Sequence, residues 1–553
     1  MTNTRDPRRT VPESGGARSS FMPLIGLVVG AAALLGLVGV LTSGGSKTSP
    51  PVQPAKVVAA ATPAVTPAPA TPAAVPTPVS TPAATTPPAP AVVAQAPVAP
   101  VAPTATPPPT PLPPAVQPPA GAAATTPSPP SQAKTSMKIQ QVKSPGGIEA
   151  WLVEEHSVPL LAMRFVFDGG NSQDPAGKGG VANFITAMLD EGAGEMTAEQ
   201  FQERAEELAA RISFEDGRDS FYGNFETLTV NRDASVDLLR LALTKPRFDT
   251  DAVDRIRQQL LASLAFAAKS PDKVAAKAWS AAAFPDHPYG RPSDGTVESI
   301  GSITRDDLEA FRRRVFAKDT LRVVAVGDID AGQLAALLDK VFGDLTAKAE
   351  LVPVAKTAPK PVRKLEVIEM DVPQSVVQFG MAGVDRKDND FIPAFVLNQV
   401  LGGGGFASRL TEEVREKRGL AYSVYSYLQP YKNAAIFGGG VATKNEEVAR
   451  AIDVIRSELK RMADDGMTAQ ELANAKSYLT GSFALRFDTN SKIASQLIWM
   501  LQEDMGIDYV ERRNPLIEAV TLDDIKRVAK RILTVDDLIV TVAGKPKGLV
   551  SGN

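Results

Sequence analysis

Two stretches of the chain show the same sequence of hydrophobic and polar positions. In residues 304–327 and 521–544, apolar residues first recur at helical spacing and then form a continuous run that ends in glycine. The two stretches align without a gap, since each residue of the second lies 217 positions after its counterpart, as Thr521 follows Thr304. A capped helix that leads into a buried strand accounts for this pattern. The chain therefore contains an internal repeat.

The patterns around the repeat recur in the same order. Residues 230–243 and 441–455 each pass from a strand end through a polar turn into an amphipathic helix. Both halves then continue into a further long helix, near 251–268 and near 468–485. This order predicts an α+β protein with two tandem homologous domains, each a mixed, mostly antiparallel sheet with packed helices.

A change in composition indicates the boundaries of these domains. The two domains span 137–345 and 365–547, and the Lys, Pro and Ala-rich residues 346–364 join them. Two similar domains that face each other leave room for a ligand in a hollow between them.

A long apolar run precedes the domains. Residues 21–42 carry no charge, which is enough for a membrane-spanning helix. Residues 1–20 hold four arginines against two acidic residues, so they are expected in the cytoplasm. The competing interpretation is a cleaved signal peptide, but the run exceeds the usual apolar region and no clear small-x-small cleavage site follows. We predict an uncleaved anchor.

A segment rich in Pro, Ala and Thr links the anchor to the domains. Between residues 49 and 132 the only charged side chain is that of Lys56. Such a composition cannot bury enough apolar surface to offset ordering, and its prolines favour polyproline II structure. Residues 43–136 are therefore predicted to be a disordered tether.

Composition excludes several kinds of site. The 553 residues carry a net charge of −3, which gives no electrostatic reason to expect nucleic acid. The chain has no cysteine, so disulfides and thiolate metal sites are excluded, and its histidines are His156 and His287.

Residues 398–428 combine a run of glycines, a charged stretch and an aromatic strand. The glycines, which let a second segment approach closely, are Gly402, Gly403, Gly404 and Gly405. Apolar residues at helical spacing predict a helix over 408–417, and Gly419 is placed to end it. Residues 420–428 have the aromatic and β-branched content of a strand.

Arg415 and Tyr422 stand on either side of this helix-to-strand reversal. The reversal can turn both toward one ligand, with a guanidinium for a carbonyl or carboxylate and a phenol for a polarised oxygen. Taken alone, the residue types favour a simpler alternative, namely an exposed arginine among glutamates and a tyrosine in the core.

An ordered series of motifs resembles the pitrilysin and insulinase family of zinc peptidases. The resemblance is to the two-domain form, which includes the mitochondrial processing peptidase and many bacterial homologues, and it covers nearly all of residues 137–547. The matching pieces are residues 147–170, 177–194 and 287–304, the glycine loop, the run REKRGLAYSV that begins at Arg415, and residues 466–483.

Active members of that family carry His-x-x-Glu-His on a helix. Histidines at i and i+4 share a helix face and bind zinc, the intervening Glu acts on the metal-bound water, and a glutamate on a later helix completes the site. Here the corresponding positions hold Asn183, Thr186 and Ala187, and residues 255–271 contain no acidic side chain. The two histidines, 131 positions apart, cannot replace the pair. We therefore predict that this chain binds no catalytic zinc and has no cofactor of its own.

The resemblance also assigns roles in the second half. Active members have an arginine and a tyrosine seven residues apart that hold the substrate peptide, and Arg415 and Tyr422 match both types and spacing. Beside the lost zinc motif, this match reverses the preference for the simpler alternative. Gly402 to Gly405 correspond to the glycine-rich loop implicated in substrate handling by the non-catalytic subunit of the processing peptidase. A simple turn before a helix is the alternative for the loop.

The resemblance thus predicts a non-catalytic, substrate-binding subunit of a membrane-anchored heterodimeric zinc peptidase that acts on unfolded peptides. Its partner would be a homologue with intact His-x-x-Glu-His and zinc, and both would face the periplasm from a bacterial inner membrane. The alternative is a structural scaffold with an inactive peptidase fold, as in core subunits of a respiratory complex. An independent protease is a poor interpretation because the histidines are absent.

Overall fold

The computed structural model describes residues 137–360 and 365–552. The predicted anchor at 21–42 and tether at 43–136 lie outside these residues. Within the described ranges, no helix is long and apolar enough to cross a membrane.

The first half of the described chain is built on one sheet with helices against it. Its strands are β1 (Gln140–Lys143), β2 (Glu149–Glu154), β3 (Leu160–Asp168), β4 (Arg211–Asp216), β5 (Ser220–Leu228) and β6 (Arg322–Gly327). Its α-helices are α1 (Val181–Thr186), α2 (Ala198–Glu207), α3 (Arg232–Thr244), α4 (Thr250–Ala267), α5 (Pro271–Ala283), α6 (Val297–Ser302), α7 (Arg305–Val315) and α8 (Ala331–Phe342).

The second half repeats this plan. Its strands are β7 (Leu365–Glu369), β8 (Gln374–Ala382), β9 (Ala421–Pro430), β10 (Ala435–Lys444) and β11 (Ile539–Gly544). Its α-helices are α9 (Phe391–Asn398), α10 (Val448–Asp465), α11 (Ala469–Gly481), α12 (Asn490–Gln502), α13 (Tyr509–Glu518) and α14 (Leu522–Ile532).

The two sheets have the same topology. Strand order is β1-β2-β6-β3-β5-β4 in the first and β7-β11-β8-β10-β9 in the second, so the orders coincide once β1 is set aside. In each sheet one pair is parallel, β2 with β6 and β7 with β11, and the other pairs are antiparallel. The predicted α+β class with mixed, mostly antiparallel sheets is confirmed.

The repeat read from the sequence is visible element by element. Helices α7 and α14, like strands β6 and β11, begin and end 217 residues apart. Thr304 and Thr521 cap the two helices, and each accepts a hydrogen bond from the backbone N–H of the aspartate three residues on. The carboxylates of those residues, Asp307 and Asp524, accept the cap N–H in return at 2.7 and 3.0 Å. This reciprocal capping fixes where each helix starts.

The two halves exchange a helix with each other. Helix α5 of the first half packs on β8 and β11 of the second, and α12 of the second half packs on β3 and β6 of the first. The indole N–H of the buried Trp279 in α5 donates to the carbonyl of Ile539 at 3.2 Å. Thr541 in turn donates its hydroxyl to the carbonyl of Ala275 at 2.8 Å. The exchange makes the described halves one packed body.

A hairpin from the second half adds a polar contact. The Tyr289 hydroxyl donates to the carboxylate of Asp219 at 2.7 Å and accepts the backbone N–H of Asn433, in the β9–β10 turn, at 3.1 Å. In the same turn, the ammonium of Lys432 pairs with Asp168 at 2.9 Å. The turn that follows β9 is therefore held against the first half.

Candidate functional site

The segment around the glycines is helical in an unusual way. After α9 the chain forms π-helical turns over Gln399–Gly403, a 3-10 turn over Gly405–Ala407, and π-helical turns again over Thr411–Glu416. The helix predicted at 408–417 is present, but most of it has these wider turns, which occur frequently at functional sites. Gly419 ends it with a left-handed φ of 60°, and its N–H donates to the carbonyl of Arg415 at 2.8 Å, as predicted for a C-terminal cap.

Close packing explains three of the four glycines. A Cβ on Gly402 would lie 2.5 Å from the backbone N of Ser426 in β9, and one on Gly404 would lie 2.5 Å from the carbonyl oxygen of Gln399. A Cβ on Gly403 would lie 2.6 Å from the side-chain amide nitrogen of Asn398. The predicted close approach of a second segment is therefore made at Gly402, and it seats the loop on the strand that carries Tyr422.

The fourth glycine has a conformational role. Gly405 adopts a φ of 58°, in the left-handed region that disfavours residues with a Cβ, and it has open space around it. It turns the chain so that the next residue, Phe406, stands out from the surface with 76 % of its area exposed.

A β-bulge aims Tyr422. In the pairing of β9 with β10, Ser423 lies opposite Ala442 and Ala421 lies opposite Thr443, so Tyr422 is an extra residue between two paired positions. Bulges redirect side chains and are common beside active sites. Tyr422 is 81 % exposed, so the alternative of a tyrosine in the core is wrong.

The guanidinium of Arg415 contacts two aromatic rings. Its guanidinium carbon is 4.8 Å from the ring centre of Phe406 and 4.9 Å from that of Tyr422, within the range of cation–π attraction. The structure thus brings Arg415 and Tyr422 together as predicted and adds Phe406, which the sequence analysis missed. The signal for it was a large aromatic residue directly after a glycine run in an otherwise polar stretch.

The acidic neighbours of Arg415 are mostly engaged elsewhere. Glu412 and Glu413 bind the ammonium of Lys417 at 2.9 and 2.8 Å. Glu416 lies 3.3 Å from the Nε of Arg415, at one end of the guanidinium. The two terminal nitrogens at the other end of the guanidinium can donate hydrogen bonds in its plane. Arginine makes its bidentate hydrogen bonds in this geometry.

The positions of the family's zinc motif lie on α1, and their chemistry does not suit a metal. The side-chain amide of Asn183 donates to Asp216 at 3.3 Å, and the hydroxyl of Thr186 donates to the carbonyl of Asn183 at 2.6 Å. Ala187 follows the helix with no donor atom in its side chain. Amide, hydroxyl and methyl groups are not a zinc ligand set. Across the described residues, no group of three acidic or histidine side chains is arranged to hold a metal ion.

The later helix and the two histidines do not supply replacement ligands for a metal. Helix α4, the later helix, places the guanidinium of Arg257 5.4 Å from the ring centre of Phe184 in α1. His156 is bonded to Asp328 at 2.7 Å on the surface, and His287 lies near the carbonyl of Ala355 at 3.0 Å. The later helix thus offers an arginine where the family has a glutamate, and each histidine is bonded separately.

A buried carboxylate supports α1 from below. Asp174 accepts the backbone N–H groups of Gly180 at 2.6 Å and Ala182 at 2.9 Å, which are donors free at the start of a helix. Burial raises the pKa of Asp174 to about 7, and the nearby charge of Asp216 adds to the rise, while the two backbone bonds oppose it. The degenerate motif therefore sits on a carboxyl group that titrates near neutral pH.

A groove of about 670 Å³ lies between the two halves. Its walls include residues 141–143 and 149–151 from the first half and Leu501, Asp504 and Ile507 from the second. The side chains of Phe406, Arg415 and Tyr422, here called the aromatic–guanidinium group, do not line this groove, and neither does α1. This groove is thus separate from the candidate site.

Two family models match the chain. One, described as insulinase (peptidase family M16), matches residues 152–297, which include α1. The other, described as the peptidase M16 inactive domain, matches residues 302–479, which include Arg415 and Tyr422.

Similar proteins cover the described part of the chain. A protein of Helicobacter pylori called "Non-peptidase homolog YmxG" is 29 % identical over 420 residues, 75 % of this chain and 95 % of the relative. An uncharacterized zinc protease of Streptomyces coelicolor is 26 % identical over 71 % of this chain and 87 % of its own length. A crystal structure of a peptidase M16 inactive domain from Pseudomonas fluorescens is 29 % identical with a TM-score of 0.70, covering 74 % of this chain and 98 % of that one.

Proposed function

Because the chain belongs to the insulinase family, peptidase family M16, we propose that it is a non-catalytic, substrate-binding subunit of a heterodimeric zinc peptidase that acts on unfolded peptides. One contrast carries the proposal. The peptide-holding pair of the family is assembled, with Tyr422 exposed and Arg415 partly exposed beside it, while Asn183, Thr186 and Ala187 replace the metal ligands and the base. The chain is an inactive member of its family, as the name of its Helicobacter relative says of that protein.

The proposed division of labour is chemically reasonable. Peptide hydrolysis needs a metal-bound water with its base and, separately, groups that hold the peptide in register. The zinc and the base belong to the partner, a homologue with intact His-x-x-Glu-His. In this chain the terminal N–H groups of Arg415 donate to a peptide carbonyl, and the Tyr422 hydroxyl adds a second hydrogen bond.

A structural scaffold is the competing function. It accounts for the lost zinc positions and for the exchanged helices, which make a rigid body. It does not account for Phe406 and Tyr422, two large aromatic side chains that are both more than three-quarters exposed around an arginine. Exposed apolar side chains that lie together, unlike those exposed singly, mark interaction sites.

The proposed location follows from the amino terminus. Residues 21–42 anchor the chain in a bacterial inner membrane, and the domains from residue 137 onward face the periplasm. We expect protease added to cells with a permeabilised outer membrane to degrade the domains. Degradation only after the inner membrane is broken would reverse this topology, and a shortened soluble form would indicate signal cleavage.

The partner is the direct test of the proposal. Tagged full-length chain, solubilised from its native membrane in mild detergent, should co-purify in equal amounts with a homologous chain that carries His-x-x-Glu-His. The pair should cleave an unfolded protein such as reduced, carboxymethylated α-lactalbumin. Purification without such a chain, from membranes where the homologue is present, would favour the scaffold.

A further inference from the structure

Phe406 is the member of the aromatic–guanidinium group that no motif assigns. We propose that Phe406 positions Arg415 for peptide binding, by adding a second aromatic contact to the one that the guanidinium makes with Tyr422. The inference rests on the proposed function, because it concerns how the peptide-binding arginine is held.

The surroundings of Phe406 point to a role outside the core. The side chain is 76 % exposed, so its packing contributes little to the fold, yet its ring centre lies 4.8 Å from the Arg415 guanidinium. Gly405 supplies the left-handed turn that brings the ring out, and Gly402 seats the loop against β9. The loop therefore holds a second aromatic ring in contact with the arginine.

A second aromatic contact changes what the arginine can do. An exposed arginine samples many rotamers, and binding a ligand then requires it to be ordered at a cost in entropy. Contacts with two rings and with Glu416 at its Nε restrict the orientations of the guanidinium and leave its terminal nitrogens to meet a ligand. A carbonyl oxygen of a peptide is then met by donors that are already aligned.

Substitution of Phe406 tests this role. Full-length chain in detergent is titrated against fluorescein-labelled, reduced, carboxymethylated α-lactalbumin, and the Kd is read by anisotropy. Phe406→Ala should raise the Kd about twofold to fivefold, the range of one cation–π contact at an exposed site. Phe406→Tyr keeps a ring and should bind as the wild type does. Phe406→Leu keeps apolar bulk without a π face and should bind as weakly as Phe406→Ala.

Phe266 in α4 provides the matched control. It is also exposed, at 78 %, so Phe266→Ala removes an equally exposed ring and should leave the Kd unchanged. Wild-type affinity in Phe406→Ala, or full affinity in Phe406→Leu, would overturn the positioning role.

A double-mutant cycle separates this inference from the proposed function. If Phe406 acts through Arg415, then Phe406→Ala should cost nothing further in the Arg415→Ala background, whereas independent contacts would add. Additive losses would overturn the inference and leave the peptide-binding role of Arg415 intact. Unchanged binding in Arg415→Ala itself would instead overturn the proposed function.

Discussion

Arg415→Ala should lower the peptidase rate of the assembled complex by about tenfold to a hundredfold, because it removes charge-assisted hydrogen bonds to the peptide. Arg415→Lys should not restore the rate. An ammonium keeps the charge but lacks the planar fork and stacks less well on the rings of Phe406 and Tyr422. The measurement is kcat/KM for a labelled unfolded peptide, with complex formation checked by gel filtration.

Tyr422→Phe separates hydrogen bonding from stacking. It keeps the ring that lies 4.9 Å from the Arg415 guanidinium and removes only the hydroxyl, so a drop in rate reports the phenol itself. Arg450→Ala is the control for loss of an arginine, since Arg450 is exposed on α10 with only a 3.6 Å pair to Glu447. Full activity in both Arg415→Ala and Tyr422→Phe would leave the scaffold as the function.

Asp174 should give the protein a stability that decreases as the pH rises toward neutrality. Its pKa is raised from 3.8 to about 7 in the folded chain, so between these values the folded state binds a proton that the unfolded state has released. The resulting stabilisation is complete below the unfolded pKa and is lost as the pH passes through the folded one. Relative to Asp174→Asn, which cannot titrate, the wild-type free energy of unfolding should fall by about 2 kcal/mol between about pH 5 and pH 7.

The comparison of variants isolates this group from other titrating residues. Urea unfolding at each pH gives the two free energies, and Asp216 is present in both proteins, so its own raised pKa largely cancels. Asp254→Asn, at a largely exposed carboxylate on α4, should run parallel to the wild type. A difference between wild type and Asp174→Asn that stays constant with pH would show that Asp174 is ionised throughout this range.

Structural features that depend on neighbouring residues in the sequence were predictable. The repeat, its helix caps and its buried strands follow from threonine and aspartate at fixed spacing and from apolar runs, and the structure places α7, α14, β6 and β11 where those signals lie. The loss of the zinc motif was equally local, since residue types at Asn183, Thr186 and Ala187 decide it.

Features that depend on distant segments were not predictable. The exposure of Tyr422 comes from a shift in register between β9 and β10, and such a shift is set by how two strands pair. The contact of Phe406 with Arg415 needs the loop to be seated on β9 through Gly402. The exchange of α5 and α12 between the halves likewise depends on tertiary packing, which the sequence of neither helix indicates.

Zinc content, measured together with cleavage, tests the central claim most directly. Full-length chain purified alone is analysed for metal and assayed on reduced, carboxymethylated α-lactalbumin, and the same assays are made on the complex with its partner. We predict no stoichiometric zinc and no cleavage for the chain alone, and one zinc per complex with cleavage that a chelator abolishes. One tightly bound zinc per isolated chain, with chelator-sensitive cleavage, would contradict the account.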